Sequence, residues 1–287
     1  MKKLIIALIS ITLFSCNRVP AQSHDFKEHI SKTFSLQNIG GSLAVYNISG
    51  SIKVTGYSGD KILIEIDKTI SADNNQAIEA GKKEFRLEFE QIGDSITIYI
   101  AEPYDSRPRK NTGNHWHEDR KIEYSTNLNF IVKVPYNTNL HVSTVNDGDI
   151  KIEDVAGKLR VNNINGGINI SNAKGTTDAH TINGNLTINY SANPPEPSSF
   201  YTLNGELNVT FPSDLSADLQ FKSMNGEFFT DFPNTEILPA TVIKTNTTKN
   251  TGTVYKLNKN TSLRVGNGGK IFKFETLNGN IYIKKQS

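Results

Sequence analysis

Cysteine is nearly absent from this chain of 287 residues: Cys16 stands alone. No intrachain disulfide can brace the fold, and no Cys-rich metal motif can form. Neither sign of charge prevails, since 31 Lys and Arg face 29 Asp and Glu, and Lys2 and Lys3 of the cations sit at the very N-terminus. That balance argues against nucleic acid as a partner, which demands a concentrated basic surface. Beyond Phe14 no apolar run is long enough to cross a bilayer core of about 30 Å. Helix-forming stretches are scarce as well. What is abundant is Asn, 32 in number, beside 21 Gly and 10 Pro. These are turn residues, and a hydrophobic fraction of 36% still suffices to bury a core in a chain of this length. Tight turns between short strands, and hence an all-β fold, follow.

Lys2 and Lys3 precede an apolar run from Leu4 to Phe14, the pattern of a secretory signal too short to span a bilayer. The run ends in Leu13-Phe14-Ser15-Cys16, which resembles the bacterial lipoprotein processing box. The resemblance implies removal of residues 1–15 and lipid on Cys16, and more than one acyl chain there would make membrane attachment stable. Residues 16–33, polar and carrying Pro20, read as a flexible tether. The expected address is therefore the bacterial envelope, exported and lipid-anchored, on the periplasmic face or the cell surface.

The strongest signal is a repeat. Thr144-Val145-Asn146-Asp147-Gly148-Asp149-Ile150 is followed by Ile164-Asn165-Gly166-Gly167-Ile168 and Thr181-Ile182-Asn183-Gly184-Asn185-Leu186. Thr202-Leu203-Asn204-Gly205-Glu206-Leu207, Met224-Asn225-Gly226-Glu227-Phe228 and Thr276-Leu277-Asn278-Gly279-Asn280-Ile281 complete the set. The apolar residue before each Asn recurs at intervals of 19, 18, 21, 21 and finally 53 residues. Periods near 20 mark stacked architectures. After each Gly, inward and outward residues alternate, as in Ile168 and Ile170 or Leu207 and Val209, which is the period of a half-buried strand. Asn-Gly readily takes positive φ, so each strand is expected to turn a corner there. A half-repeat lies between, at Asp154-Val155-Ala156-Gly157 and Asn172-Ala173-Lys174-Gly175. Two strands and two corners per period describe a β-solenoid, a right-handed parallel β-helix with an aliphatic core over residues 140–287, in which corner Asn amides can stack from coil to coil. An Asn-Gly hairpin meander is the alternative.

Residues 34–139 read as an N-terminal β-rich section. It holds a degenerate coil at 40–66, one short helix from Asp73 to Gly81 and a hairpin about Gly93-Asp94. Residues 102–126 are an irregular excursion, Asn193 to Pro197 an inserted loop, and 234–274 a larger insertion with a hairpin across Thr247–Gly252.

Val134-Pro135, the Thr-Val-Asn-Asp-Gly-Asp-Ile phrase and its Thr-(Ile/Leu)-Asn-Gly successors are similar to the bacterial putative-adhesin domain, a family of unknown function. The resemblance covers 140–287, and 34–66 more loosely. It implies a β-helix-like envelope protein with no established catalytic residues. Gly167, Asn185, Glu206, Glu227 and Asn280 stand where that pattern prefers Asp, which weakens any acidic metal column.

Two constellations could carry chemistry. Glu206 and Glu227 occupy one repeat position; in consecutive coils they would stand about 5 Å apart, the separation a retaining glycosidase uses. Against this, a solvated column of carboxylates is inert. His115 and His117, with Glu118 or Asp119, could bind a divalent metal, and Trp116 between them could stack on a sugar. Against this, a polar loop is more often merely solvated. The corners Asn146, Asn165-Gly166, Asn183-Gly184, Asn204-Gly205, Asn225-Gly226 and Asn278-Gly279 read as structural turns. The expected function is non-enzymatic: a lipid-anchored solenoid, without cofactor, whose surface serves adhesion or binds a glycan or an envelope or matrix protein. The alternatives are a polysaccharide-active enzyme using Glu206 and Glu227, and a regulatory component that binds a membrane protein. Self-association through a terminal coil is compatible with each.

Overall fold

Period-two alternation builds almost everything in the computed structural model of the chain, which describes residues 24–38, 40–108, 121–239, 242–246, 253–257 and 261–287. The N-terminal elements are β1 (His24–Ser35), β2 (Ser42–Tyr46), β3 (Ile52–Tyr57), β4 (Lys61–Ala72), α1 (Asn75–Glu84), β5 (Arg86–Ile92), β6 (Ser95–Glu102) and β7 (Tyr124–Pro135). The repeat contributes β8 (Asn139–Thr144), β9 (Ile150–Glu153), β10 (Leu159–Asn163), β11 (Ile168–Ala173), β12 (Thr177–Asn183), β13 (Leu186–Tyr190), β14 (Ser199–Asn204) and β15 (Leu207–Phe211). Then come β16 (Ala217–Asn225), β17 (Phe228–Thr230), β18 (Thr235–Leu238), β19 (Val242–Asn246), β20 (Thr253–Leu257), β21 (Thr261–Val265), β22 (Lys270–Asn278) and β23 (Ile281–Lys285).

Two sheets face each other. Sheet A has ten strands in the order β1-β4-β7-β3-β9-β11-β13-β15-β23-β17, and sheet B has eleven, β18-β21-β16-β22-β14-β12-β10-β8-β2-β6-β5. From β7 to β17 in sheet A, and from β16 to β6 in sheet B, every neighbouring pair is parallel. Each coil has one strand in each sheet, so the fold is a β-solenoid. Antiparallel strands close it: β4 and β1 beyond β7, β5 beyond β6, and β21 and β18 beyond β16.

The coils do not stack in chain order at either end. The coil of β6 and β7 lies outside that of β2 and β3, although it follows in sequence. At the other end the last coil, β22 and β23, is threaded between β14–β15 and β16–β17. Its Asn278 pairs with Asn204 on one side and Asn225 on the other. The 53-residue interval is thus a return of the chain into the middle of the stack.

One hydrophobic cluster runs from Leu43 to Ile283, so 34–139 and 140–287 are not separate sections but one core. The core is aliphatic through the middle coils, with Ile52, Ile150, Ile168 and Leu186 in register in sheet A. It turns aromatic toward the C-terminal coils, contrary to an all-aliphatic expectation. Phe200 stacks on Phe274 at 4.9 Å, Phe274 on Phe221 at 5.3 Å, and Phe211 lies between Tyr190 and Phe272 at 5.0 and 5.5 Å. Parallel in-register strands bring like positions together, so the rings stack on one another from coil to coil.

The short helix is present as α1, capped by the Asn74 side chain, which accepts a hydrogen bond from the Ala77 amide. The hairpin about Gly93-Asp94 forms as β5 and β6, and that within 234–274 as β19 and β20. The tether expectation is corrected over its second half: residues 24–33 belong to β1, paired along its whole length with β4. Phe26, Ile30 and Phe34 alternate there, and Ile30 and Phe34 pack against the core. Residues 1–23, with Cys16, lie outside the described residues.

Candidate functional site

The repeated corner is accounted for side chain by side chain. Two residues before each corner Asn stands a polar residue that points inward. Thr144, Thr181, Thr202 and Thr276 are buried, and each hydroxyl donates to the carbonyl of the corner Gly one coil away: Gly50, Gly166, Gly184 and Gly205, at 2.8–3.3 Å. Asn163 does the same toward Gly148 at 3.0 Å. The corner Asn amides form an unbroken ladder through Asn146, Asn165, Asn183, Asn204, Asn278 and Asn225, each Nδ2 donating to the Oδ1 of the one before it at 2.7–2.8 Å.

The corner glycines are required for a different reason from the one expected. Of Gly166, Gly184, Gly205, Gly226 and Gly279, only Gly279 has φ in the left-handed range, at 153°. The constraint is proximity: a Cβ on any of them would lie 1.9–2.2 Å from the carbonyl oxygen of the neighbouring corner Gly. Positive φ appears instead at Asp147, and at Asp154 and Asn172 in the opposite corner, where the Asn172 amide donates to Asp154 at 2.9 Å. The apolar residue between Thr and Asn faces outward. Val145, Ile164, Ile182, Leu203, Leu277 and Met224 form an aliphatic stripe beside the ladder, and Met224 is 73% exposed.

The Glu206–Glu227 pairing fails on the stacking order. Leu207 pairs with Ile281, and Ile281 with Phe228, so the Asn280 coil separates the two carboxylates. Two strand spacings put them about 9–10 Å apart rather than one spacing of about 5 Å. Asn280 stands between them and accepts the Glu227 amide at 2.9 Å. The close pair of a retaining glycosidase is therefore absent from this column. His115, Trp116 and His117, with Glu118 and Asp119, lie outside the described residues.

What the fold does assemble is a polar and aromatic cluster on the outer face of sheet B. The register places Ala44, His141, Arg160, Asp178 and Ser199 in one row across β2, β8, β10, β12 and β14. Tyr46, Ser143, Asn162, His180 and Tyr201 form the next row. The Tyr46 hydroxyl and His141 Nδ1 are 3.0 Å apart, their rings edge to face with centroids at 5.0 Å. Burial, with the Arg160 charge behind it, holds the His141 imidazole below its ordinary range, so the ring is neutral at pH 7. Burial also raises the Tyr46 phenol.

Asp178 is the hub. One of its oxygens lies 2.8 Å from His180 Nε2 and accepts the Ser199 hydroxyl at 2.5 Å; the other is 3.7 Å from Arg160 Nε. The His180 bond, opposed by partial burial and aided by Ser199, lowers its carboxyl to about 2. His180 then leans on the Tyr201 ring at 5.7 Å. Two aromatic–imidazole pairs thus flank a low polar strip, Ser143 and Asn162, with Arg160 beside it. Nothing in the local sequence marked these residues, because they come from strands up to 155 positions apart.

Residues 113–265 match the sequence profile of the family described as Toastrack DUF4097. The chain belongs to the Toastrack DUF4097 family. The matched segment covers β7 to β21, whereas the coil of β22 and β23, which the same stack encloses, lies beyond it. No curated protein matches this sequence at a significant level. Among solved structures, a "putative cell adhesion protein" from Clostridium sporogenes is 11% identical, covers 91% of this chain and 100% of its own, and has a TM-score of 0.46. A "putative adhesin" from Bacteroides fragilis is 10% identical over 90% of this chain and 97% of its own, with a TM-score of 0.40. A "putative lipid binding protein" from Parabacteroides distasonis is 10% identical over 91% and 97%, with a TM-score of 0.27.

Proposed function

We propose that this Toastrack protein is a non-enzymatic, lipid-anchored envelope protein that presents the outer face of sheet B as a rigid surface for a glycan or a protein ligand. One observation carries the reading: in-register parallel strands hold partly exposed Tyr46, His141, Arg160, Asp178, His180 and Tyr201 side by side on one face, Tyr46 against His141 and Asp178 against Arg160 and His180, which leans on Tyr201. Side chains ordered before a ligand arrives lose little entropy when they bind it. The corner ladder stiffens the sheet behind them. The basic-apolar segment ending at Cys16 supports export and attachment, with lipid holding the solenoid at the membrane.

The test uses the purified full chain in mild detergent, exposed to a panel of polysaccharides and matrix proteins, with retention and new reducing ends both recorded. Retention without new ends, weakened at least tenfold in Arg160→Gln/Tyr201→Ala, is the expected result. New reducing ends, or retention indifferent to that pair of changes, would overturn it. For the anchor, Cys16→Ser expressed in a bacterial host should release the protein from the membrane fraction and abolish incorporation of labelled palmitate.

A further inference from the structure

Beside the cluster, sheet B has a depression of about 320 Å³, at the small end of the ~300–1,000 Å³ typical of ligand sites. It exists because the row that carries His141 and Arg160 continues onto Ala44 and Thr97, with Ser42 next to them; short side chains sit beside long ones. Lys158 and Arg160 stand on one wall. Neither side chain has a hydrogen-bond acceptor among the described residues. Asp178, the nearest carboxylate to Arg160, stays 3.7 Å from its Nε because its closer bonds go to His180 and Ser199. Arg160 is therefore held in place by a neighbour that leaves its donors available, and its side chain is 61% exposed.

We propose that this depression binds a carboxylate-bearing sugar residue, a uronate of an acidic polysaccharide, with Arg160 and Lys158 taking the carboxylate and the ring lying over Ala44. The proposal rests on the reading of sheet B as a binding face and names the ligand class. A guanidinium fork matches the two oxygens of a carboxylate, and two cations with one carboxylate nearby suit a single negative charge better than a phosphate dianion. The hydroxyls and amide around the rim, Ser42, Thr97 and Asn139, suit ring hydroxyls. An acidic peptide fits less well. Added-strand recognition needs a free sheet edge, and β2, β8 and β10 are each paired on both sides.

Binding of the full chain in mild detergent is measured by calorimetry against oligomers of polygalacturonate, alginate, hyaluronate and glucuronan. Carboxyl-reduced forms of each, and polyglutamate, serve as controls. At least one uronate oligomer should bind, at least tenfold more tightly than its reduced form and with an affinity that falls as salt is raised. Arg160→Gln and Ala44→Trp should each weaken it at least tenfold, whereas Lys151→Gln on the opposite sheet should not. Thermal melts show whether each variant is folded, and Lys158→Gln, at an exposed position, supplies an independent loss of charge. Absence of uronate binding, indifference to carboxyl reduction, or an affinity left unchanged by both Arg160→Gln and Lys158→Gln overturns the proposal. Polyglutamate bound as tightly as the uronates overturns the assignment to sugar. Neutral glycans or proteins retained on the intact face in those cases would leave the binding-surface reading standing, while loss of all retention would remove both.

Discussion

Gly184→Ala tests how closely the corners are packed. An Ala Cβ would meet the Gly166 carbonyl oxygen at 2.2 Å and its carbon at 2.5 Å, well inside any observed contact. Backbone cannot rotate aside as a side chain can, so the two coils must part by about 1 Å, since an ordinary contact needs ~3.4 Å or more. That seam is held by Thr181, whose buried hydroxyl donates to the same Gly166 oxygen at 2.8 Å, and by the Asn183 amide on the Ile164 carbonyl at 2.7 Å. Overpacking costs about 1–3 kcal/mol and loss of the buried hydroxyl's partner about 1–3 kcal/mol more. A total near ~4 kcal/mol corresponds to a fall in Tm on the order of 10 °C for a domain of this size. Gly93→Ala is the control: at φ 59° with nothing within 4 Å, it carries only the left-handed backbone penalty of about 1–2 kcal/mol. Thermal melts followed by far-ultraviolet circular dichroism compare the two. If Gly184→Ala melts at or above Gly93→Ala, the close stacking of the corners is wrong.

Further predictions concern single bonds. Thr202→Val keeps the shape of a fully buried side chain but strips the Gly184 carbonyl of its donor, so it should cost about 1–2 kcal/mol in urea unfolding, and Thr202→Ser should recover most of that. His29 lies between Asp67 at 2.7 Å and Glu65 at 2.8 Å, and the hydrogen bonds to Asp67 and then Glu65 raise its pKa. The attachment of β1 to β4 should therefore be strongest below about pH 6.5, the ordinary imidazole value, and weaken as pH rises through the raised one. Hydrogen exchange of the β1 amides, corrected for intrinsic rate, should show that loss, and His29→Gln should remove its pH dependence. Asp178 should titrate at about 2 by carbon-13 NMR, so its contribution is present above about pH 4 and lost as pH falls toward 2. His180→Phe should move that midpoint upward, and an unchanged midpoint would break the hub.

How much was legible in the sequence depends on the range of the interaction that decided each feature. Ile168 and Ile170, or Leu207 and Val209, announce a strand with one buried face by alternation alone, and that reading held along the repeat. The Asn ladder was legible because in-register stacking must bring equal repeat positions together. The role of the corner Gly was not. Asn-Gly signals a turn by its own φ preference, whereas the actual demand comes from another coil's carbonyl. The tether was misjudged at residues 24–33 because β1 is polar on both faces at several positions; only β4 beside it supplies partners for its backbone.

The residues by themselves determined the coil: its length, its two corners and the alternation of its strands, because each follows from the period of a strand and the chemistry of adjacent residues. Tertiary structure alone decided the order of the coils. Any Thr-x-Asn-Gly corner can dock on any other, so the local code is indifferent to whether Asn278 follows Asn225 or slips between Asn204 and Asn225. That choice separates Glu206 from Glu227. The stacking register likewise gathers Tyr46, His141, Arg160, Asp178 and Tyr201 on one face, a neighbourhood that exists only across strands.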